Sequence, residues 1–276
     1  MTLEKLIEQT EKRFKAARLH YGHGTSTARD EAAFLVLRGL GLPFDADLNR
    51  SVDPRKLENL IRRRIDKRIP AAYLLREAWL DGQRFYVDRR VIVPRSHIAF
   101  MLKNLPAPRT VLDLCTGSGC LAALAARAFP RARVTASDLS ADALAVARRN
   151  VPRSVKLVRS DLFDKLPGSF DLILANPPYV ASKAMRSLPA EFRHEPGLAL
   201  AAGSDGLDIV RRILAEAPAH LNPGGLLVCE VGAGRKALER AFPRLPLRWP
   251  RDEVFVLQAA RTARGSRAPA TRARAA

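Results

Sequence analysis

Apolar side chains recur at helical spacing through the first quarter of the chain. Leu3, Leu6, Ile7 and Phe14 fall on one helix face, as do Ala32, Leu35 and Val36, and then Leu57, Leu60, Ile61 and Ile65. Three-and-four spacing of this kind buries one stripe of a helix and leaves the rest in water. The third pattern carries a start signal: Asp53 can accept from the first free amides, and Pro54 fits the first helical position, where its missing N–H costs nothing. RRRIDKR at 62–68 then reads as the solvated face and end of that helix, where cations suit the dipole, with an RNA contact as the alternative. Beyond it the period changes. EAWLDGQRFYVDRRVIV at 77–93 sets apolar and aromatic residues on both sides of Asp81-Gly82, which predicts a β-hairpin and a hinge between domains.

From about residue 109 short apolar runs alternate with helical stretches. The strand candidates are 110–115, 133–137, 155–159, 171–176, 225–231 and 253–258; the helix candidates are 118–129, 140–150, 205–221 and 235–243. Such alternation predicts an α/β fold, a doubly wound and mostly parallel sheet covered on both faces, with ligands at the carboxyl ends of its strands. The chain divides accordingly into a small N-terminal helical domain over 1–76, a connecting hairpin over 77–95, an α/β domain over 96–258 and a basic tail over 259–276, too poor in large apolar residues to fold.

Composition narrows the class. With 276 residues, 47% of them hydrophobic, the chain can build a sizeable core. No apolar run is long enough for a membrane span and the first residues form an amphipathic pattern rather than a signal peptide, so a soluble, cytoplasmic protein without membrane contact is expected. Cys115, Cys120 and Cys229 form neither a disulfide framework nor a metal-binding spacing and read as reduced, half-buried residues; no metal is expected. The formal charge of +19 is spread along the chain and concentrated only in the tail, which holds five arginines and no acid. It favours proximity to RNA or a ribonucleoprotein by counterion release, although a general bias toward arginine and alanine would produce the same charge.

Two motifs carry candidate chemistry. Asp113-Leu114-Cys115-Thr116-Gly117-Ser118-Gly119-Cys120 follows a strand and opens a helix, so a ligand can approach the backbone at its glycines and face the helix amides. Alone, it is equally an ordinary tight turn. Asp138, 19 residues after Gly119 at the end of the next strand, is placed to accept hydrogen bonds from both hydroxyls of a ribose, and the pair favours an adenosine-containing cofactor. Asn176-Pro177-Pro178-Tyr179 lies just beyond the strand DLILA, at the same rim. Successive prolines fix a rigid loop, and Asn176 Oδ1 with the Pro177 carbonyl can each accept one hydrogen of a planar NH2 group, aiming its nitrogen at an electrophile. A Pro-Pro turn merely closing a strand is the structural alternative.

With DLCTGSG, SDLS at 137–140, SDLF at 160–163 and NPPY, the chain resembles the class I, Rossmann-like methyltransferases that modify glutamine amides in proteins, a family that includes the release-factor enzyme. VPRSHI at 93–98, HEPGLALAAGSDGLD at 194–208 and VCEVG at 228–232 are more similar to its branch that methylates ribosomal protein L-three. Where the release-factor branch has a proline and Asp-Thr-Glu after its Pro-Arg, Ser96, His97 and Ile98 stand here, and its tryptophan in the SDWF segment is Leu162. The resemblance implies S-adenosyl-L-methionine as cofactor, held by Asp113, by Thr116, Gly117, Ser118, Gly119 and Cys120 at its methionine end and sugar, by Asp138 and Leu139 at the ribose, and by Asp161 and Leu162 at the adenine. It implies Asn176, Pro177, Pro178 and Tyr179 as the catalytic loop that holds the glutamine amide, with Asn176 also touching the cofactor. It makes the helical domain a substrate-recognition element and ribosomal protein L-three, before or during ribosome assembly, the partner. His194 and Glu195 either line the site or form structural hydrogen bonds; Arg95 either contacts substrate or braces the interdomain segment. The alternatives are a release-factor glutamine methyltransferase, an adenine-N6 nucleic-acid methyltransferase, which also orients an exocyclic amine with this motif, a ribosomal-RNA guanine methyltransferase, and an inert ribosome-binding protein on the same fold.

Overall fold

The computed structural model describes residues 1–260, so the basic tail expected over 259–276 falls, from 261 onward, outside the described residues. Helix α1 (Leu3–Ala16) is capped by Thr2, whose hydroxyl accepts the Lys5 amide, and α2 (Ala28–Gly39) by Thr27, which accepts from Asp30. Each cap satisfies a backbone donor that has no partner within the helix. Asp53 caps as its sequence position suggests, but it starts a single 3-10 turn over Pro54–Lys56, and α3 begins only at Glu58, running to Asp66. A fourth helix, α4 (Ala71–Leu75), follows Pro70 and stops at Arg76 in the left-handed conformation; five residues are too few to show a period. Leu3, Phe14, Leu35, Leu57 and Ile61 form the centre of this helical core.

The hairpin is shorter than its sequence suggests. Strands β1 (Ala78–Leu80) and β2 (Gln83–Phe85) pair antiparallel around Asp81-Gly82. The elements that follow are β3 (Thr110–Leu114), α5 (Cys120–Ala128), β4 (Arg133–Asp138), α6 (Ala141–Asn150), β5 (Lys156–Arg159), β6 (Phe170–Ala175), α7 (Ser182–Ser187), α8 (Asp208–Glu216), β7 (Leu221–Glu230), α9 (Arg235–Ala241), β8 (Arg248–Arg251) and β9 (Val254–Gln258). Seven strands form one sheet in the order β5-β4-β3-β6-β7-β9-β8. The first five are parallel; β9 runs antiparallel to β7, and β8 antiparallel to β9. The fold is thus the class I methyltransferase sheet expected. Edge strand β8 has no sequence signal, since its Pro250 is tolerated only because an edge leaves its ladder position unpaired.

Alternate residues of each central strand serve opposite faces. Val111, Leu172 and Val228 pack with Leu121 and Leu124 of α5, whereas Leu112, Ile173 and Leu227 pack with Val210 and Ile213 of α8. Ala143 and Val146 of α6 belong to the helical core instead, so that core extends through Val87, Val91 and Val93 onto the α/β layer. Among the described residues no helix is long and apolar enough to cross a membrane. Cys120 and Cys229 are fully buried rather than half-buried, and Cys115 is partly exposed.

Candidate active site

Strand order reverses between β3 and β6, because the chain leaves β3 toward β4 on one side and β6 toward β7 on the other. The loops leaving such a pair diverge and open a crevice at their carboxyl ends. A cavity occupies this crevice.

The loop after β3 forms one wall. Cys115, Gly117 and Gly119 all have positive φ, and a Cβ on Gly119 would sit 2.8 Å from Val151 and 3.0 Å from Ala147, so only glycine lets α5 start this close to α6. Asp113 stands behind the loop: its Oδ2 accepts from the Thr116 hydroxyl at 2.5 Å and the Ala122 amide at 3.0 Å. Burial pushes its carboxyl up to about 7 against those two bonds, and its Oδ1 is buried without a partner. Asp138 lies in the cavity wall with Oδ2 on the Gly117 amide and Oδ1 on the Ser140 amide, both at 2.9 Å. Burial raises its pKa while these amides hold it down.

Gly117, Asp138, Leu139, Asp161, Leu162, Asn176 and Pro178 line the cavity. Asp113, Thr116, Ser118, Gly119, Cys120, Pro177 and Tyr179 are not among its lining residues; Thr116, Ser118 and Gly119 belong to the loop itself, and Asp113 holds it through the Thr116 hydroxyl. Leu162 is buried with φ 46°, and the Asp161 carboxylate is paired with Arg212 at 3.0 Å.

Asn176, just beyond the end of β6, lines the same cavity, and its Oδ1 is buried with no hydrogen-bond partner. An unpaired buried acceptor costs free energy, of the order of 1–3 kcal/mol, unless a ligand donor satisfies it. Tyr179 points the other way, its hydroxyl donating to Glu230 Oε1 at 3.5 Å. Glu230 Oε2 in turn accepts from the Ser96 hydroxyl at 2.7 Å and the His97 amide at 3.0 Å. Burial, then the Glu230 charge, pushes Tyr179 up to about 12, so it stays a neutral phenol. A Cβ on Gly232 would lie 2.7 Å from the Tyr179 ring, so this glycine leaves the space the ring fills.

Several wall residues escaped the sequence reading. Arg90, Val91 and Ile92, after the hairpin, and Pro196, Leu198, Ala199 and Ala201 line the cavity, as do Cys115, Ser137, Ser140, Ala143, Ser160 and Ile209. Leu139 and Leu198 are 47% and 60% exposed beside it, an apolar rim that a flat ligand can cover. The open roles resolve to structural contacts. Arg95 makes a double contact with Glu195, at 2.5 and 2.7 Å, and thereby braces the interdomain segment. Glu195 also accepts the Val93 amide, and His194 meets the Lys67 carbonyl through Nε2 at 2.8 Å. Neither lines the cavity. Among the described residues no cluster of three or more His, Cys, Asp or Glu could hold a metal ion.

Residues 97–195 match the family model described as methyltransferase small domain. The chain is 51% identical to the ribosomal protein uL3 glutamine methyltransferase of Bordetella pertussis, over 90% of each chain. It is 48% identical to that of Burkholderia pseudomallei, again over 90% of each. Among solved structures, a methyltransferase from Pyrococcus furiosus matches with a TM-score of 0.47 and 21% identity, over 75% of this chain and 98% of that one.

Proposed function

Because the chain belongs to the family of ribosomal protein uL3 glutamine methyltransferases, we propose that it methylates the side-chain amide nitrogen of a glutamine in ribosomal protein uL3. It is an S-adenosylmethionine-dependent enzyme. The apolar rim and the carboxylate of Asp138 in the cavity wall suit that cofactor.

Bound there, S-adenosylmethionine supplies a methyl group already attached to a good leaving group. What remains for the protein is placement and charge. In this reading Asp138 takes the ribose hydroxyls with the lone pairs its two backbone bonds leave free, and Leu139 and Leu162 cover the apolar faces. Asn176 Oδ1 accepts one hydrogen of the substrate amide and the Pro177 carbonyl accepts the other, so the nitrogen faces the cavity. The same two acceptors stabilise positive charge as it develops on nitrogen, whose surplus proton then passes to water. No side chain has to act as a general base.

The buried, unpaired Asn176 Oδ1 carries this reading. Asn176→Ala should lower the single-turnover rate on uL3 by about 10²-fold, the usual scale for lost orientation and charge stabilisation, while cofactor affinity measured by calorimetry changes by about tenfold at most. Acid hydrolysis of the labelled product should release methylamine. Label retained as methylated adenine, or a near wild-type rate in the variant, would overturn the proposal.

We place the reaction in the cytoplasm, before or during ribosome assembly, with the helical region over 1–76 recognising the substrate. The charge of +19 supports work close to RNA.

A further inference from the structure

The segment between β6 and α8 has little regular structure of its own: helix α7, then single 3-10 turns over Ala190–His194 and Gly197–Ala199. Its course is therefore set by what its side chains hold. Glu191 is 2% exposed and its Oε1 accepts from the His20 amide at 3.0 Å, from Arg64 Nη1 at 3.3 Å and from Arg68 Nη1 at 3.4 Å. Arg64, on α3, is wholly buried; its Nε pairs with Glu31 of α2 and its Nη2 donates to the His20 carbonyl at 2.9 Å. Phe192 packs on the rings of His20 and His23, at 5.5 and 4.5 Å between centroids. Through Glu191, Phe192, His194 and Glu195, four of the five residues at 191–195 are fastened to the helical region and the stretch joining it to the sheet.

Immediately downstream, Pro196, Leu198, Ala199 and Ala201 form cavity wall. Leu200 and Ala202 then pair with Val180, the residue after Tyr179: the Val180 amide donates to the Leu200 carbonyl at 2.8 Å and the Ala202 amide to the Val180 carbonyl at 3.0 Å. One continuous strap thus has one end locked to the α1–α2 loop and the end of α3, and the other zipped to the loop that carries Asn176.

We propose that Glu191 is a positioning residue for methyl transfer, its buried carboxylate fixing this strap so that the seating of the helical region sets the register of the Asn176 loop. A carboxylate suits the task because three donors from two separate segments converge on one oxygen, and a buried charge tolerates little displacement from its partners. The loop it controls is the loop that must align an amide in line with the methyl group. The proposal rests on the glutamine methylation proposed above.

In Glu191→Gln the side chain keeps its size and an acceptor for the His20 amide but loses the charge that holds Arg64 and Arg68. The expected result with the full-length enzyme is a kcat on uL3 lowered about tenfold, and S-adenosylmethionine affinity within about threefold of wild type. Amide hydrogen exchange should quicken at 179–182 and 197–203 while β3, β4 and β6 keep their protection. Arg68→Gln, at a part-exposed site, serves if the first variant does not fold; it should move kcat and exchange the same way by about two- to threefold. Wild-type kcat with unchanged exchange in the strap, alongside a lowered melting temperature, would reduce Glu191 to a stabilising contact and overturn the inference. If the wild-type enzyme itself fails on uL3, the substrate proposal fails alone, and the exchange pattern still decides the strap.

Discussion

At the scale of single residues, burial without compensation marks the groups that respond to their surroundings. His23 is 3% exposed, neither ring nitrogen has a partner, and burial first, then the charges of Arg95 and Arg64, lower its pKa from 6.5 to about 3. Glu191, Glu195 and His20 also face it, but at this pKa the ring is neutral, and its 3.8 Å approach to Glu195 is not an ion pair at pH 7. Between pH 6.5 and 3 the unfolded chain therefore binds the proton that the folded one refuses. Stability from this site is complete above the unfolded value and falls with pH at about 1.4 kcal/mol per unit inside the window. His23→Leu should flatten the loss of urea midpoint from pH 6.5 to 5; midpoints that fall in parallel with wild type would show that another group titrates. Asp138 belongs to the same scale. Asp138→Ala should weaken S-adenosylmethionine binding by about 1.5–3 kcal/mol, and an unchanged calorimetric affinity would remove Asp138 from the site. Its place at a strand end was legible in the sequence. Its two backbone bonds were not, because they depend on where Gly117 lies in the folded loop.

At the scale of elements, the contacts that shape the site tie together pieces with no local relation. Asn150, the last residue of α6, is an example. Its Oδ1 accepts the Tyr86 amide at 2.8 Å, and its Nδ2 donates to the Tyr86 carbonyl at 2.9 Å and the Ser118 carbonyl at 2.8 Å. Arg149 adds its guanidinium over the Tyr86 ring, 3.5 Å from the centroid. The stretch after the hairpin, α6 and the glycine loop are thereby one unit. In a sequence, Asn at a helix end reads as a terminator and nothing more. Asn150→Ala should lower the free energy of unfolding by about 1–3 kcal/mol and weaken cofactor binding with it, as urea titration and calorimetry would register. Full retention of both would show that Tyr86 and Ser118 find other partners at no cost.

At the scale of the whole molecule, charge acts where packing does not. A net +19 attracts polyanions from beyond contact distance and loses that pull as salt screens it. Removing residues 261–276 takes away five arginines. If they meet RNA phosphates, the salt dependence of binding to a ribosomal RNA fragment should become less steep, with the log–log slope falling by up to about 0.9 per lost contact for a duplex. An unchanged slope would move the contact surface elsewhere, the exposed arginines Arg62 and Arg63 of α3 being the next to test.

Helices α1, α2 and α3, six of the seven strands of the large sheet and the two motif loops are legible as linear text. Each rests on interactions within a few residues: a helical stripe, an alternating strand, a glycine turn, a Pro-Pro corner. Such short spacings are why DLCTGSG and NPPY already place their residues at one rim in the linear sequence. Folding in three dimensions decided which side chains form the walls. Arg90–Ile92 and Pro196–Ala201 lie about a hundred residues apart and both line the crevice, while Asp113, Thr116 and Cys120 do not. His194 and Glu195 turn to the helical region for the same reason. Their partners, Lys67, Val93 and Arg95, are brought near by the packing of α1–α6. Close packing is a relation between surfaces and leaves no period along the chain.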